Sequence, residues 1–388
     1  MRALEVRWRP IGSGRHVLMG VLVALAIGFG WTVALPASDA ASWLTKSNPS
    51  PGSESTLNGV SCVSASSCTA VGYFGNDTLV ESWNGSAWSI ARSPDRGTNS
   101  TLDDVFCVSA SSCEAVGSYS SSGIVHTLVE SWNGSAWSLA RSPDRGTNST
   151  LDGVFCVSAS SCEAVGSYSS SSSLSQTLIE SWNGTTWSVV AGPSLAPNES
   201  TFDGVFCVSG KSCVAVGNNG SRTLVESWNG IAWSVVPSPT PGNYGGLSGV
   251  SCSSARSCVA VGNYSNGTGS ASSILSRTLV ESWNGTAWSV ASGPSPSVAY
   301  LYRVSCVSAR SCKAVGDYAS STIRRRALIE SWNGISWSVV PSPSPSVAYL
   351  YDVSCASARS CKAVGERTSN GGVMRILVES WNGTAWSI

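Results

Sequence analysis

The chain has 388 residues, including 39 Gly, 16 Pro, 14 Cys and 17 Trp, and only 12% of its residues are charged. This composition excludes a disordered chain and a compact cytosolic enzyme, and it is typical of a secreted, turn-rich β protein. Balanced charge, with 23 acidic and 23 basic residues, excludes nucleic-acid binding through a basic surface, and two histidines leave little material for histidine catalysis or zinc binding.

The first 40 residues have the pattern of a secretory signal peptide. Four arginines precede an uncharged run of 19 residues, 17–35, and Ser38 and Ala40 then stand at positions −3 and −1 of a cleavage site. Because 19 residues are also just enough to cross a bilayer, an uncleaved N-terminal membrane anchor is the alternative. Both interpretations place residues 41–388 outside the cytosol, either secreted to the medium or cell wall or held at the membrane.

Residues 41–388 are predicted to form one domain of seven tandem repeats, numbered here as units 1 to 7. Unit 1 reads LNGVSCVSASSCTAVG, then a loop, then TLVESWNGSAWSIARSP. The first cysteines of successive units are 45, 49, 51, 45, 54 and 49 residues apart. A period of about 49 residues is typical of four-stranded propeller blades. The sequence therefore predicts an all-β, seven-bladed β-propeller of antiparallel blades, with a parallel solenoid as the alternative.

Turn signals divide each unit into four strands. In unit 1 these are LNGVSCV, CTAVG, TLVESW and AWSIA. Asn-Gly separates the third and fourth strands of every unit, which predicts a type I′ turn with positive φ at both positions. The loop between the second and third strands varies most, with 13 to 23 residues from the second cysteine to the glutamate of ESW. Variable loops on a rigid scaffold commonly carry binding residues, so these loops are the predicted ligand site.

Each unit carries two cysteines, six residues apart, across the turn between its first and second strands. Facing residues on antiparallel strands have Cα atoms about 4.5–5.5 Å apart, which suits a disulfide. In a secreted chain this spacing predicts one hairpin disulfide per blade, with buried free thiols as the alternative. A metal site is not expected, because C-x5-C lacks the companion ligands that zinc needs. The predicted pairs are Cys62–Cys68, Cys107–Cys113, Cys156–Cys162, Cys207–Cys213, Cys252–Cys258, Cys306–Cys312 and Cys355–Cys361.

Two tryptophans and one glutamate also recur in every unit. The tryptophans suit packing between blades better than a carbohydrate platform. A glutamate repeated seven times is expected to be half-buried and hydrogen-bonded rather than catalytic. These glutamates are Glu81, Glu130, Glu180, Glu226, Glu281, Glu330 and Glu379.

Five units open the variable loop with an aromatic residue, two positions after the glycine of AVG. Such rings could stack on sugars, and packing beside the strand end explains them equally well. We treat them as candidate ligand-binding residues: Phe74, Tyr119, Tyr168, Tyr264 and Tyr318.

Charge is unevenly distributed along the chain. Residues 41–240 contain 15 acidic and 7 basic residues, whereas residues 241–388 contain 6 and 12. Lys313 and Lys362 stand where units 2 and 3 have Glu114 and Glu163. A basic sector on units 6 and 7 could bind an anionic wall polymer, a membrane surface or another molecule's acidic half, and ordinary solvated edges are the alternative. Its candidate ligand-binding residues are Arg324, Arg325 and Arg326.

The units resemble a known family. A strand ending in AVG, one ending in ESW and one carrying AWS are similar to kelch-type propellers, including the galactose-oxidase central domain. GVSCxSxxxCxAVG with ESWNGxxW resembles tandem repeats of secreted actinobacterial proteins still more closely, over residues 42–388. Kelch blades usually carry a double glycine after the second strand, where a single one, such as Gly72, stands here. The resemblance implies shape and not activity, since His126, the one histidine after the leader, cannot complete an oxidase copper site.

The favoured function is a secreted or cell-surface, non-catalytic binding or scaffold propeller. A glycan or cell-wall polymer is the first expected ligand, and a protein partner, self-association through the acidic and basic halves, or a purely adhesive role is the alternative. No cofactor and no nucleic-acid partner is expected, and a membrane contact only through an uncleaved leader. A glycoside hydrolase or lyase would need two carboxylates at one mouth. Its candidates, equally well read as turn acceptors, are Asp103, Asp104, Asp152 and Asp203.

Closure of the ring is left open by the sequence. Residues 42–45 resemble an additional fourth strand, yet the chain also ends in one, 385–388. Either the N-terminal strand joins the last blade and closes the ring, or the chain is part of a longer array. A closed ring is the favoured interpretation.

Overall fold

The computed structural model describes residues 52, 54–169, 174–193, 195, 199–267, 276–296, 298–321, 324–344, 347–368 and 372–388. They belong to one compact unit, Thr45–Ile388. The predicted leader and the additional strand at 42–45 lie outside the described residues. In the part of the chain that is described, no helix is long and apolar enough to cross a membrane.

The described residues form strands β1–β28, and each unit supplies four in succession. The first strands are β1 (Ser55–Ser64), β5 (Thr98–Ser109), β9 (Asn148–Ser158), β13 (Ser200–Ser209), β17 (Tyr244–Ser254), β21 (Ala299–Ser308) and β25 (Ala348–Ser357). The second strands are β2 (Ser67–Phe74), β6 (Ser112–Ser121), β10 (Ser161–Ser169), β14 (Ser212–Asn219), β18 (Ser257–Ser265), β22 (Ser311–Ser321) and β26 (Ser360–Thr368).

The outer two strands of each unit follow the same order. The third strands are β3 (Asp77–Trp83), β7 (Ile124–Trp132), β11 (Ser175–Trp182), β15 (Arg222–Trp228), β19 (Arg277–Trp283), β23 (Arg324–Trp332) and β27 (Met374–Trp381). The fourth strands are β4 (Trp88–Ala91), β8 (Trp137–Ala140), β12 (Trp187–Val189), β16 (Trp233–Val235), β20 (Trp288–Val290), β24 (Trp337–Val339) and β28 (Trp386–Ser387).

Within a unit the four strands pair antiparallel in chain order, as in β1-β2-β3-β4. Units 2 and 3 are also linked by a parallel pair, Val125 with Asn148, which joins their strands into one eight-stranded sheet. Every unit therefore has two ends. We call the end with the loops between second and third strands the loop face, and the end with the disulfide hairpins the turn face.

Neighbouring units pack through their aliphatic side chains. Val71 and Val80 of unit 1, for example, join a buried cluster with Leu102, Ala115 and Leu128 of unit 2. Burying an aliphatic side chain of this size stabilises a fold by about 1.5–3 kcal/mol. Both faces of the inner strands are covered in this way, which is why polar residues such as Thr56, Ser61 and Glu81 are also buried there.

Unit 7 packs against unit 1, so the array of units closes on itself. Leu57 and Ala70 share a buried cluster with Val364 and Ile376. The backbone N–H of Val60 also donates a hydrogen bond of 2.7 Å to Asp352 Oδ2. The fourth strand of unit 7 is β28, supplied by the C-terminal residues. Among the described residues, closure therefore takes place by side-chain packing and hydrogen bonding between units 7 and 1; the alternative in which the N-terminal strand enters the last sheet concerns residues outside the described ranges.

The cysteines pair as predicted in seven disulfides. Their Cα atoms are 3.9–4.0 Å apart, which is shorter than the expected spacing. Each pair adjoins a register shift, as between Cys62 and Ser64, where strands are strongly twisted. Seven disulfides favour an extracellular location.

The predicted type I′ turn at Asn-Gly is wrong. Trp83 pairs with Trp88, so the loop holds four residues, of which Asn-Gly are the first two, and of these two only Gly85 has a positive φ, 93°. Asn84 Oδ1 instead accepts hydrogen bonds from the backbone N–H groups of Ser86 and Ala87, at 2.9 and 3.0 Å. The asparagine side chain thus replaces a backbone acceptor and fixes the longer loop.

The single glycine that ends AVG is required by a close approach of two strands. A Cβ at Gly72 would lie 2.0 Å from the carbonyl oxygen of Thr56 on the first strand. In the other six units, a Cβ on the equivalent glycine would lie 2.0–2.1 Å from the equivalent carbonyl oxygen of that unit's first strand. The single glycine that stands here, where kelch blades usually have two, therefore allows this close approach of the first and second strands.

The seven glutamates of ESW are all fully buried, more deeply than expected. Four accept a hydrogen bond from the connector serine that follows the fourth strand of the preceding unit, as Glu130 does from Ser93 at 2.7 Å. In two connectors this serine is replaced by glycine: Gly192 precedes Glu226, and Gly293 precedes Glu330. The carboxyl oxygens of Glu226 make no hydrogen bond among the described residues.

Gly192→Ser is therefore expected to stabilise the protein. A Cβ at this position would lie 3.6 Å from Glu226 Oε2, an ordinary contact, so a hydroxyl can donate to the buried carboxyl as in unit 2. The gain should be about 1 kcal/mol in the free energy of unfolding, measured by urea denaturation. Gly192→Ala is the matched control, because it adds the Cβ without the donor. Equal stability of the serine and alanine variants would contradict the prediction.

Candidate functional site

The first strands of all seven units meet around one cavity of about 110 Å³. Towards the turn face it is lined by Phe106, Phe155 and Phe206, whose ring centroids are 4.1 and 4.2 Å apart. Units 1, 5, 6 and 7 have serine at the same position, and these hydroxyls join neighbouring units. Ser61 Oγ, for example, accepts a hydrogen bond of 2.9 Å from the N–H of Cys107. This end of the cavity is therefore part of the packing between units.

Towards the loop face, one bulged position in the first strand differs from unit to unit. Units 2, 3 and 4 place Asp103, Asp152 and Asp203 there, whereas units 6 and 7 place Tyr302 and Tyr351. We call this loop-face end of the cavity the mouth. It has an acidic side and a tyrosine side. Both sides occur because the seven copies differ at a position that the fold does not restrict to one residue type.

Arg303 crosses this mouth from unit 6. Its Nη2 donates a hydrogen bond of 2.7 Å to the carbonyl oxygen of Asp152 in unit 3, and its Nη1 donates to the carbonyl oxygen of Ser248 in unit 5. The guanidinium therefore bridges units on opposite sides of the cavity and covers its loop-face end. Its positive charge lies among the aspartates of the mouth.

The aspartates of the mouth are poorly solvated. Burial raises the pKa of Asp103 to about 6, against a hydrogen bond from Thr101 and the charge of Arg303. Burial likewise raises the pKa of Asp203 to about 6, and Arg303 opposes it. Burial and the nearby charges of Asp103 and Asp203 raise the pKa of Asp152 well above its usual range. A cationic or hydroxyl-bearing ligand would restore the solvation that these carboxylates have lost.

Two further aspartates act within the fold. Asp104 Oδ2 accepts a hydrogen bond of 3.0 Å from the N–H of Val154 in the next unit. Asp352 makes the equivalent bond to Val60 across the closure between units 7 and 1. Asp103 is also linked to the preceding unit, because Asn58 Nδ2 of unit 1 donates a hydrogen bond of 3.4 Å to its Oδ1. No such contact is described for Asp152 or Asp203, the other two carboxylates at the bulged position of the mouth.

The tyrosine side is a cluster of rings on units 6 and 7. Tyr302 lies 5.8 Å from Tyr351 between ring centroids, and Tyr351 lies 6.1 Å from Tyr349 with nearly parallel rings. The Tyr302 hydroxyl donates to Asp317 Oδ1 at 2.6 Å. Arg325 pairs with Asp317 and covers the ring of Tyr300 at 4.7 Å, which fixes the cluster.

Tyr244 extends the aromatic surface towards the acidic side. It is 38% exposed, and the charge of Asp203 and the neighbouring Tyr300 both contribute to raising its pKa, although burial is the larger cause. Tyr349 is half-buried. These two rings are thus accessible at the edge of the mouth.

The aromatic residues predicted from the sequence lie elsewhere. Tyr119 is 7% exposed under Arg96, whose guanidinium carbon is 4.9 Å from the ring centroid. Tyr168 is equally buried, under Arg145 at 4.6 Å. The other three pack against the cores of their own units: Phe74, Tyr264 and Tyr318. Their positions fit the packing interpretation, and sugar stacking on them stays a prediction.

The predicted basic sector is divided in the structure. Arg324 and Arg326 are exposed, whereas Arg325 faces Asp317 and Tyr300. Lys313 and Lys362 are only 7% and 8% exposed. The physical reason is that their position on the second strand faces the next unit and not the solvent.

Sequence reasoning missed the tyrosine side, although a signal was present. Units 6 and 7 share the segment SVAYLY, at 297–302 and 346–351, and the other units lack it. An aromatic pair confined to two adjacent copies at the start of the first strand distinguishes a local surface from repeated packing.

The structure resembles solved β-propellers. It superposes on the WD40 propeller domain of Doa1 with a TM-score of 0.53 and 12% identity, covering 84% of this chain and 93% of that one. YCF48 bound to a D1 peptide gives 0.52 and 11%, covering 84% and 92%. An ulvan lyase of a polysaccharide lyase family, bound to a saccharide, gives 0.55 and 9%, covering 83% and 91%.

These similarities confirm the propeller architecture alone, because the identities are low. The kelch relationship stays a prediction. No family model matches the sequence, and no curated protein matches it. Among the described residues, no group of three or more His, Cys, Asp or Glu side chains is arranged to hold a metal ion.

Proposed function

We propose that this protein is an extracellular, non-catalytic binding propeller of seven blades, and that it binds a glycan or cell-wall polymer at the loop-face mouth. The observation that carries the proposal is that the mouth has the carboxylates of Asp103, Asp152 and Asp203 on one side and a tyrosine cluster on the other. Tyr349 belongs to that cluster, and Tyr244 lies close enough to Asp203 for its charge to raise the tyrosine pKa. Saccharides present both apolar ring faces and hydroxyl donors. Aromatic faces contact the former, and carboxylates accept hydrogen bonds from the latter.

The position of the mouth supports the same proposal. It lies on the face that carries the loops of variable length, and strand-supported side chains form its walls. Binding sites commonly combine a rigid scaffold with adjacent variable loops. The solved neighbours include a propeller with a bound peptide and one with a bound saccharide, so the architecture accommodates either class of ligand.

Removal of the two accessible tyrosines is expected to abolish most of the binding. Tyr244→Ala combined with Tyr349→Ala should lower the affinity of residues 41–388 for the retained polymer about tenfold, since each aromatic contact contributes about 0.5–1.5 kcal/mol. The measurement is a pull-down of the oxidised protein on insoluble peptidoglycan, cellulose and chitin at low and moderate salt.

Ile231→Ala is the control for this experiment, because Ile231 is 86% exposed on the turn face. Unchanged retention of the double tyrosine variant would place the ligand elsewhere. Failure of the wild-type protein to bind any of the three polymers would favour a protein partner or a purely adhesive role.

Glycan cleavage is a second candidate function, favoured by one observation. Carboxyl groups with pKa values of about 6, such as Asp103 and Asp203, are protonated in weakly acidic solution and could act as acids at the mouth there. Incubation with soluble oligosaccharides would then release new reducing ends or unsaturated products. Release that persists in an Asp203→Asn variant would exclude this carboxyl from the chemistry.

A further inference from the structure

The residue that follows the second cysteine of each unit occupies a slot between that unit and the next. It lies on the second strand near the turn face, far from the loop-face mouth. Its identity changes around the ring, from Thr69 in unit 1 through Glu114, Glu163, Val214, Val259 and Lys313 to Lys362 in unit 7.

In units 6 and 7 the slot holds a lysine ammonium group. Lys313 Nζ lies 2.7 Å from Ser331 Oγ on its own third strand and 4.1 Å from the ring centroid of Trp381 in unit 7. Lys362 Nζ lies 2.7 Å from Ser380 Oγ and 4.0 Å from the ring centroid of Trp83 in unit 1. Both slots therefore provide a hydroxyl acceptor and an aromatic face, the two groups that a desolvated ammonium needs.

Four other units place side chains of different chemistry in the slot. In units 2 and 3 it holds a carboxylate that accepts a hydrogen bond, as Glu114 does from Ser131 at 2.6 Å. In units 4 and 5 it holds a valine, and Val214 packs in one cluster with Trp283. A long or branched apolar side chain, a carboxylate and an ammonium have thus each been accommodated against the same serine and tryptophan positions.

Between units 1 and 2 the slot is a cavity. Thr69 does not reach as far as the glutamate or lysine side chains of the other units, and a space of about 170 Å³ is lined by Thr69, Ser82, Trp83 and Trp132. Ser82 and Trp132 occupy the same positions as Ser331 and Trp381, which hold the ammonium of Lys313. No lysine or arginine is among the residues that line the cavity, and the Lys362 ammonium contacts the ring of Trp83, one of its walls.

We propose that the cavity between units 1 and 2 is a binding site for a primary alkylammonium group. Ser82 Oγ accepts a hydrogen bond from the ammonium, and the face of Trp132 covers it, as Ser331 and Trp381 do for Lys313. A cavity of about 150 Å³ is large enough for a molecule the size of benzene, so a four-carbon amine fits in this space. The site is independent of the mouth and of the proposed glycan.

A titration with n-butylammonium chloride tests the site in the full oxidised protein. The indole ¹⁵N–¹H resonances of the tryptophans are followed, and Trp132 is assigned with a Trp132→Phe variant. We expect the Trp132 resonance to shift and saturate while that of Trp381 stays unchanged. n-Butanol, which has the same stem without the charge, should give at least tenfold weaker binding, because it makes only a neutral hydrogen bond and no cation–π contact.

Four variants locate the site. Ser82→Ala removes the acceptor and should weaken binding about tenfold, whereas Ser380→Ala, at a slot already occupied by Lys362, should not change it. Thr69→Lys should abolish binding by placing an ammonium in the cavity. Thr69→Val keeps the cavity volume and should retain binding.

A short peptide with one lysine distinguishes the two sources of the group. Displacement of n-butylammonium by this peptide identifies a lysine side chain as the occupant, and its failure to compete identifies a free amine; both results agree with the site. Equal affinity for n-butanol, undiminished binding by the Thr69→Lys variant, or no shift of Trp132 would each overturn the proposal.

Discussion

Full reduction of the seven disulfides is expected to unfold the protein at room temperature. Each bond closes a hairpin loop with a sequence separation of 6 residues, for which the loss of chain entropy in the unfolded state stabilises the fold by about 2 kcal/mol. Seven such bonds contribute about 14 kcal/mol in this treatment. That sum equals or exceeds the whole free energy of unfolding of most domains, about 5–15 kcal/mol.

The measurement is urea denaturation followed by far-UV circular dichroism, with and without a phosphine reductant. Removal of a single bond, by Cys107→Ala with Cys113→Ala, serves as the graded control and should cost about 2 kcal/mol. A fully reduced protein with the same urea midpoint as the oxidised one would show that packing between units alone maintains the fold.

The strand order, the loop positions and the disulfide pairing could be predicted because each is local. Cys62 and Cys68 lie on the two strands of one hairpin, and seven copies of one spacing remove the ambiguity of a single copy. The Asn-Gly loop was predicted in the right place but with the wrong conformation. The side chain of Asn84 supplies hydrogen bonds that a type I′ turn does not need, and that preference is invisible in the dipeptide alone.

The mouth could not be predicted from spacing, because it exists only after the units close into a ring. Arg303 contacts the carbonyl oxygen of Asp152, 151 residues earlier in the chain. The same reason explains Lys313 and Lys362. Their charge suggested a surface, but in a ring of stacked sheets the second strand is covered on both sides, so their contacts are tryptophans of the next unit.

Stability is expected to fall as the pH rises from about 5 to about 8. Burial raises the pKa of Glu180, Glu226 and Glu330 to about 8 and that of Glu130 and Glu281 to about 7. An unfolded glutamate has a pKa of about 4.3. Between these values the unfolded chain releases protons that the folded protein still holds, so deprotonation favours unfolding.

The sign of this dependence is opposite to that of a protein stabilised by ionised carboxylates. Stabilisation by the protonated glutamates is fully present below pH 4 and is lost as the pH passes through the folded-state pKa values, after which the curve flattens. Asp352, whose pKa burial raises to about 7, acts in the same direction. The buried glutamates together should lower the melting temperature by about 10 °C or more between pH 5 and pH 8.

Glu226→Gln isolates the contribution of one buried glutamate to this pH dependence. Because its carboxyl oxygens make no hydrogen bond among the described residues, a neutral amide of the same shape removes the ionisable group without breaking a described contact there. In the variant the free energy of unfolding should fall less steeply with pH than in the wild type. The difference should be up to about 1.4 kcal/mol per pH unit, over the range in which Glu226 of the wild type remains protonated. Glu199→Gln, at an exposed position, is the control. A slope identical to that of the wild type would mean that Glu226 ionises in the folded protein as readily as in the unfolded chain, and the other buried glutamates would then have to reach solvent in the same way.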